Sequence, residues 1–396
     1  MSEEKKLILK MLKDGKINED EAMKLLDAVK ETPEEATYAK ESKGPNIDTK
    51  EFEKNIENWA QKLAAGIEGI FQKVGEKVSK LDLDYDFDLS YEGDSVVAFG
   101  KQNAKVEKRF AFNVEAEEEV SLVVNNRNGA VKVVKADTNE IEVLAMIKYN
   151  DRLFKEDYEF IKCTFENSTV EVEANPPQES RKDGYSVNII ITVPEKEFDN
   201  ISLNTINGQL ITESLTSNSM EIGSVNGSIS TGILEADKIY VHTVNGAIEL
   251  DSILAAQSDI NTVNGRIIIN SADGKLLKVE TVNGRVEIEG LEYEDITIET
   301  LNGRIVLEGA LEETNKLSVS SLNGRVELEV ADSVRETKLT VNASSGSLDN
   351  LDYGNRLKLV EKSKRQLIAQ TDGYTDAEEK MDIEISVQNG KIDLEI

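Results

Sequence analysis

Histidine and cysteine are almost missing from this chain: 396 residues contain one of each, His242 and Cys163. A lone cysteine excludes an intrachain disulfide framework. With one histidine beside it, no Cys/His zinc site can be built, and a His-based triad has a single candidate. His242 lies in "IYVHTVNG", at a repeat position filled by Asn261, Glu280 and Glu299 in later copies, and reads as an ordinary strand residue. Basic residues are scarce too, 46 against 76 acidic ones, for a formal charge of −30. Nucleic-acid binding needs clustered Lys and Arg, so nucleic acid is not an expected partner. A charge of this size keeps a repetitive β protein in solution and draws cationic peptides. Apolar runs of about 18 residues, long enough to span a bilayer, do not occur. The stretch "MSEEKKLILKMLKDGKINEDEA" lacks the apolar centre of a signal peptide. The expectation is a protein that is cytoplasmic or peripheral at the membrane, with unconventional surface exposure as the alternative.

What the chain has in abundance is Asn-Gly. The pairs begin at Asn207, Asn226, Asn245, Asn264, Asn283 and Asn302, each 19 residues after the last, with a seventh at Asn323, 21 residues on. Asn128 and Asn389 are outliers. A fixed period near 20 is the mark of a solenoid. Counting Asn as zero, position −1 is Ile, Val or Leu in all seven copies, +3 is Leu, Ile or Val, and −2 is Thr or Ser. Strand alternation runs on both sides of the pair. Asn-Gly between alternating strands is also the strongest short hairpin signal, but a hairpin sheet does not require copies of equal length. A parallel β-helix does, because each coil stacks on the previous one at about 4.8 Å. The expected fold is mainly β, a single-stranded parallel β-helix or solenoid of about 19 residues per coil, preceded by a small α-helical N-terminal module. In that fold Asn207 to Asn323 form a structural ladder of stacked amides at the corner. Gly follows because a Cβ there would clash.

One ordered surface feature accompanies the repeat: Arg266, Arg285, Arg304 and Arg325 all directly follow the corner. Stacked, they would make a basic stripe able to bind anionic glycan or phospholipid headgroups. The plainer reading pairs them with Glu280, Glu287, Glu299 and Glu327, each pair contributing little at a surface. The constant coil length leaves no long loops for cleft walls. No carboxylate is singled out, so no enzyme, no catalytic residue and no cofactor is expected.

Residues 1–31 read as a helical hairpin, with Leu7, Leu9, Met11 and Leu12 on one helix, Ala22, Leu25, Leu26 and Val29 on the next, and a capping box from Asn18 to Glu21. So small a module buries too little surface to stand alone. Residues 32–47 are a polar, Pro-containing linker. A long amphipathic helix then spans 48–81, with Phe52, Ile56, Trp59, Leu63, Ile67, Ile70, Val74 and Val78 on one stripe and Phe71 beside it. Steps of three and four summing to eleven keep that stripe straight for about 45 Å. It can pack on the β-helix, self-associate, or lie on a membrane surface with Trp59 and Phe71 at the interface. Residues 82–104 form an acidic linker or edge strand in which Asp82, Asp84, Asp86 and Asp88 alternate with apolar residues, without the glycine-turned cage of a calcium loop, so no metal is expected. Residues 105–396 are the β-helix domain.

The run "IIITVPEKEFDNISLNTINGQL" and the "VNG-R-I" coils that follow resemble the putative-adhesin family of β-strand-repeat proteins, a bacterial domain of unknown function with no catalytic motif. "ILKMLKDGKINEDEAMKLLDAV" resembles the helical hairpin that precedes this domain in Lia-type cell-envelope stress proteins of Firmicutes. The resemblance implies a non-enzymatic scaffold that senses or regulates the envelope response to antimicrobials. Its partner would be a protein, such as an envelope-stress membrane protein, with homo-oligomers forming through the N-terminal helices. The alternative it leaves open is a surface adhesin or anionic glycan-binding protein.

Overall fold

Apolar and polar residues alternate through the repeats, and the structure, a computed structural model, turns that alternation into stacked parallel strands. Residues 102–115, 119–155, 157–174, 184–331, 335–344, 348 and 351–396 are described. The chain divides into two units, Met1–Glu92 and Gly93–Ile396. The helical hairpin, the linker, the long helix and nearly all of the acidic stretch lie outside the described residues.

The strands run β1 (Ala104–Asn113), β2 (Ser121–Asn128), β3 (Val131–Ala136), β4 (Glu140–Tyr149), β5 (Lys162–Glu166), β6 (Thr169–Ala174) and β7 (Tyr185–Pro194). The repeats then make β8 (Glu197–Asn207), β9 (Leu210–Thr212), β10 (Leu215–Ser224), β11 (Ile229–Thr243), β12 (Ile248–Asn264), β13 (Ile267–Asn283), β14 (Val286–Glu289), β15 (Leu291–Gly309) and β16 (Lys316–Val330). Last come β17 (Glu336–Ala343), β18 (Lys358–Lys362), β19 (Gln366–Gln370) and β20 (Lys380–Glu395).

From β8 to β16 each coil pairs in parallel with the next, in register: Ile248 opposes Ile267, Ile260 opposes Val279, and Asn264 opposes Asn283. Pairing between β12 and β13 covers Ile248–Leu250, Ser252–Ala255 and Gln257–Thr262. The breaks at Asp251, Ala256 and Val263 divide the coil into three short sides. The expected solenoid is therefore present, with parallel windings.

Its core consists of columns. Position −4 (Leu203, Ile222, Val241, Ile260, Val279, Ile298) and position +3 (Leu210, Ile229, Ile248, Ile267, Val286, Ile305) are all fully buried. Each such side chain stabilises the stack by about 1.5–3 kcal/mol. The apolar −1 column stands on the opposite strand face to the buried Thr column and is half-buried from Val225 to Leu322.

The two ends depart from simple stacking. The first coil, β2 and β3, lies directly against β8 and β9, with Asn128 opposite Asn207. The intervening chain returns outside it, β6 on β2 and β7 on β3. At the other end β20 is inserted between β16 and β17 in parallel with both, so the last strand is not the last rung. Antiparallel strands finish both ends: β4 on β7, β1 on β4 and β5 on β6, then β19 on β17 and β18 on β19. The flanks of the domain expected as a β-helix are therefore partly antiparallel caps, which stop the parallel stack from growing.

Candidate interaction surface

The corner explains the repeat. Asn226 donates its side-chain amide to Asn207 at 2.9 Å, Asn245 to Asn226, Asn264 to Asn245 and Asn283 to Asn264, each at 2.9 Å. Asn302 continues to Asn283 at 3.0 Å and Asn323 to Asn302 at 2.9 Å. The two outliers belong to the same file. Asn207 donates to Asn128 at 2.9 Å and Asn389 to Asn323 at 3.0 Å. Among the described residues the ladder thus runs through nine asparagines, from Asn128 to Asn389. The sequence spacing hid its ends, because pairing there skips 79 and 66 residues.

Glycine after Asn is required by crowding. A Cβ on Gly265 would stand 1.8 Å from the carbonyl oxygen of Gly246, and one on Gly284 1.8 Å from that of Gly265. No corner asparagine has a positive φ; among the described non-glycine residues only Asn167 and Ser168 do. Asn-Gly serves here for close stacking, not for the left-handed backbone a hairpin turn would need. The Thr at −2 has a function too. Thr243 donates its hydroxyl to the carbonyl of Gly227 at 3.0 Å and Thr262 to that of Gly246 at 3.2 Å, tying each corner to the coil before.

The arginine column is stacked as expected, with Arg304 opposite Arg325. It also extends one rung further, since Arg325 opposes Lys391. Carboxylates close on every arginine. Arg266 bonds Glu249 at 2.5 Å and Arg285 bonds Glu287. Arg304 bonds Glu327, and Arg325 bonds both Glu327 at 2.7 Å and Asp393. The hydrogen bond to Glu327 holds the Arg304 guanidinium above its usual range. Burial works against Asp393, but Lys391 and Arg325 together hold its carboxyl below the ordinary value. The arginines remain 43–58% exposed. Two expected partners, Glu280 and Glu299, take part in none of these arginine pairs: Glu280 bonds Lys278 at 2.7 Å instead, and Glu249 and Asp393 are the partners not expected.

His242 is more enclosed than an ordinary strand residue. It is 4% exposed, its ring stacks on Tyr240 with centroids 4.6 Å apart, and it leans over Gly223, where a Cβ would come within 2.5 Å of its Nε2. Asn261 and Glu280 follow in the same column and are equally buried. Burial pushes the Glu280 carboxyl up to about 7, against the opposing pull of Lys278. Burial likewise pushes the Cys163 thiol up to about 12. Among the described residues no group of three or more His, Cys, Asp or Glu is placed to hold a metal, and no helix is long and apolar enough to cross a membrane. Phe52, Ile56, Trp59, Leu63, Ile67, Ile70, Phe71, Val74 and Val78 lie outside the described residues.

Comparison with solved structures finds a putative lipid binding protein from Parabacteroides distasonis, 10% identical with a TM-score of 0.40, covering 73% of this chain and 96% of that one. A putative adhesin from Bacteroides fragilis is 12% identical with a TM-score of 0.36, covering 74% and 100%. One from Parabacteroides merdae is 8% identical with a TM-score of 0.38, covering 73% and 95%. No curated protein matches the sequence. Residues 3–34 match a SHOCT-like domain. Residues 121–395, which hold the whole amide ladder, match the model of one family, and the chain accordingly belongs to the Toastrack DUF4097 family.

Proposed function

We propose that this protein is a non-enzymatic interaction scaffold that senses or regulates within the bacterial cell-envelope stress response to antimicrobials. The observation that carries the reading is the unbroken asparagine ladder, a rigid file that holds every outward column in register over the whole stack. Such a stack presents a fixed surface, and the uniform 19-residue windings from Asn207 to Asn302 have no long loops to build cleft walls. The order of parts supports the regulatory half: a SHOCT-like segment, an amphipathic stretch at 48–81, then the toastrack domain. In this reading the partner is a protein, such as an envelope-stress membrane protein, and the N-terminal segments mediate docking or self-association. The test is an envelope-stress reporter in cells with and without the gene, challenged with a membrane-active peptide. Altered induction is expected, and identical dose–response curves would overturn the reading.

A second reading, a surface adhesin or anionic glycan-binding protein, is favoured by the basic column Arg266, Arg285, Arg304, Arg325 and Lys391. Replacing the four arginines by alanine should then abolish binding to an anionic polysaccharide. Unchanged binding, or none by the native protein, would remove it.

A further inference from the structure

The C-terminal cap carries a feature that neither the ladder nor the arginine column uses. Strand β18 is the outermost strand of that end, paired only with β19 among the described residues. Its neighbour β19 sits on β17 with Leu367 and Ala369 fully buried, so the hairpin is held on a packed base. The side chains of β18 are all exposed, and exposure continues without a break from Lys358 to Arg365. Leu359 is 49% and Val360 59% exposed, the two most exposed large apolar side chains among the described residues. Val360 is the extra residue of a β-bulge, since Leu359 opposes Ala369 while Glu361 opposes Ile368. The bulge turns it away from the ladder. The tip is fixed by Ser363, whose amide donates to the Gln366 carbonyl at 2.8 Å and whose hydroxyl accepts from the Gln366 amide at 3.0 Å.

This hairpin is locally basic in an acidic chain. Between residues 356 and 365 stand Arg356, Lys358, Lys362, Lys364 and Arg365 against one carboxylate, Glu361, in a chain of net charge −30. Lys358 pairs with Asp372, and Arg356 donates to the Arg335 carbonyl at 3.5 Å. Lys362, Lys364 and Arg365 have no carboxylate partner among the described residues. Lysines and a bulge on an edge strand are devices that block pairing with another strand, so strand addition is disfavoured here. Edge protection does not account for two adjacent exposed apolar side chains. Cations around a small apolar pair match an anionic membrane surface, where the charges meet phosphate headgroups and the apolar pair enters the interfacial layer.

We propose that the β18–β19 hairpin is a membrane-contact element that seats Leu359 and Val360 in an anionic lipid surface, with Lys362, Lys364 and Arg365 on the headgroups. This contact is independent of whether the protein regulates a stress response. It is also separate from any lipid contact made by residues 48–81, and the test must tell the two apart.

In the full chain, Val360→Cys in a Cys163→Ser background is labelled with an environment-sensitive dye. It is then mixed with phosphatidylcholine vesicles with or without phosphatidylglycerol. A blue shift is expected only with phosphatidylglycerol, and it should fade as salt is raised. An unshifted dye overturns the proposal even if the chain sediments with vesicles through another segment. At about fivefold in partitioning per cation, Lys362→Glu with Lys364→Glu and Arg365→Glu should weaken the dye-reported binding by about 100-fold or more. Thermal unfolding should not move, because these side chains are exposed. Equal binding by the triple variant overturns the assignment of the headgroup contacts. Salt-sensitive self-association that the triple variant loses, without any vesicle shift, would make the partner an acidic protein face and overturn the lipid proposal.

Discussion

Asn389 donates its side-chain amide to Asn323 at 3.0 Å although it stands 66 positions further along the chain. The bond exists because β20 enters the stack between β16 and β17, placing Gly390 on Gly324 and Lys391 on Arg325 as if it were the next repeat.

Within the ladder each inner asparagine both donates and accepts, which makes a carboxylate a selective probe. Asn264→Asp keeps an acceptor for Asn283 but at neutral pH has no proton for Asn245. A loss of about 1 kcal/mol is expected at neutral pH. Protonation restores the donor, so the folded form raises the pKa of the new carboxyl. The deficit should therefore shrink as pH falls through the carboxyl range and return as pH rises. Urea unfolding of variant and wild type at several pH values measures this, and a pH-independent difference would count against the ladder.

Corner glycines should tolerate no side chain. Gly284→Ala places a Cβ 1.8 Å from a backbone oxygen that cannot move without moving the neighbouring coil. Destabilisation of roughly 3 kcal/mol or more is expected. At Gly232 the nearest atom is 3.2 Å away, so Gly232→Ala should cost about 1 kcal/mol or less. Comparable effects from the two would refute the steric explanation.

Glu280 predicts a pH effect of definite sign. Burial raises its carboxyl from 4.5 to about 7 in the folded state, so folding is linked to proton uptake. Its contribution is full below the unfolded value and is lost as pH rises through about 7. Glu280→Gln should remove this component, leaving a variant more stable than wild type above pH ~8 by on the order of 2–3 kcal/mol. The gap should narrow toward pH ~5. Parallel stability–pH curves for the two proteins would show that the side chain is not desolvated.

Inside the stack, Tyr293 is fully buried and its hydroxyl lies 2.7 Å from that of Ser258, 35 residues earlier. Its ring occupies the space beside Gly274, where a Cβ would meet Cε1 at 2.8 Å. Tyr293→Phe should cost about 1–2 kcal/mol through the orphaned Ser258 hydroxyl. Tyr293→Ala should cost about 3–5 kcal/mol by opening a cavity. Denaturant melts that rank the two the other way would place the ring outside the core.

Much of this architecture could be read from residue order alone, because a solenoid repeats its contacts at a fixed distance along the chain. The period, the parallel register and the amide file from Asn207 to Asn302 follow from the 19-residue spacing, and the shared Asn-Gly-Arg carries Asn323 and Arg325 into the same columns across a 21-residue step. The ends do not. Asn128 and Asn389 join the file through insertions whose pairing is non-local, and no period marks them. Glycine as relief of crowding is legible in the sequence, whereas the hydroxyl at −2 is visible there without its role as a tie to the previous corner. Lys391 carries a signal, since it directly follows an Asn-Gly like each arginine, but only its rung makes it part of the column. The basic hairpin was concealed by averaging, its five cations submerged in a chain of net charge −30. His242 looked ordinary because the space it fills belongs to Gly223, one coil away.

The inserted strands at either end have a consequence for size. Each cap closes on the rung it is threaded beside, and among the described residues the windings from β11 to β15 pair only with the windings next to them in the stack. Nothing in the caps counts how many such windings there are. Whole 19-residue units could be spliced in or out, each changing the rod by about 4.8 Å. The length of the stack is thereby set by the number of windings, and a unit added in register brings its own corner amide to the file.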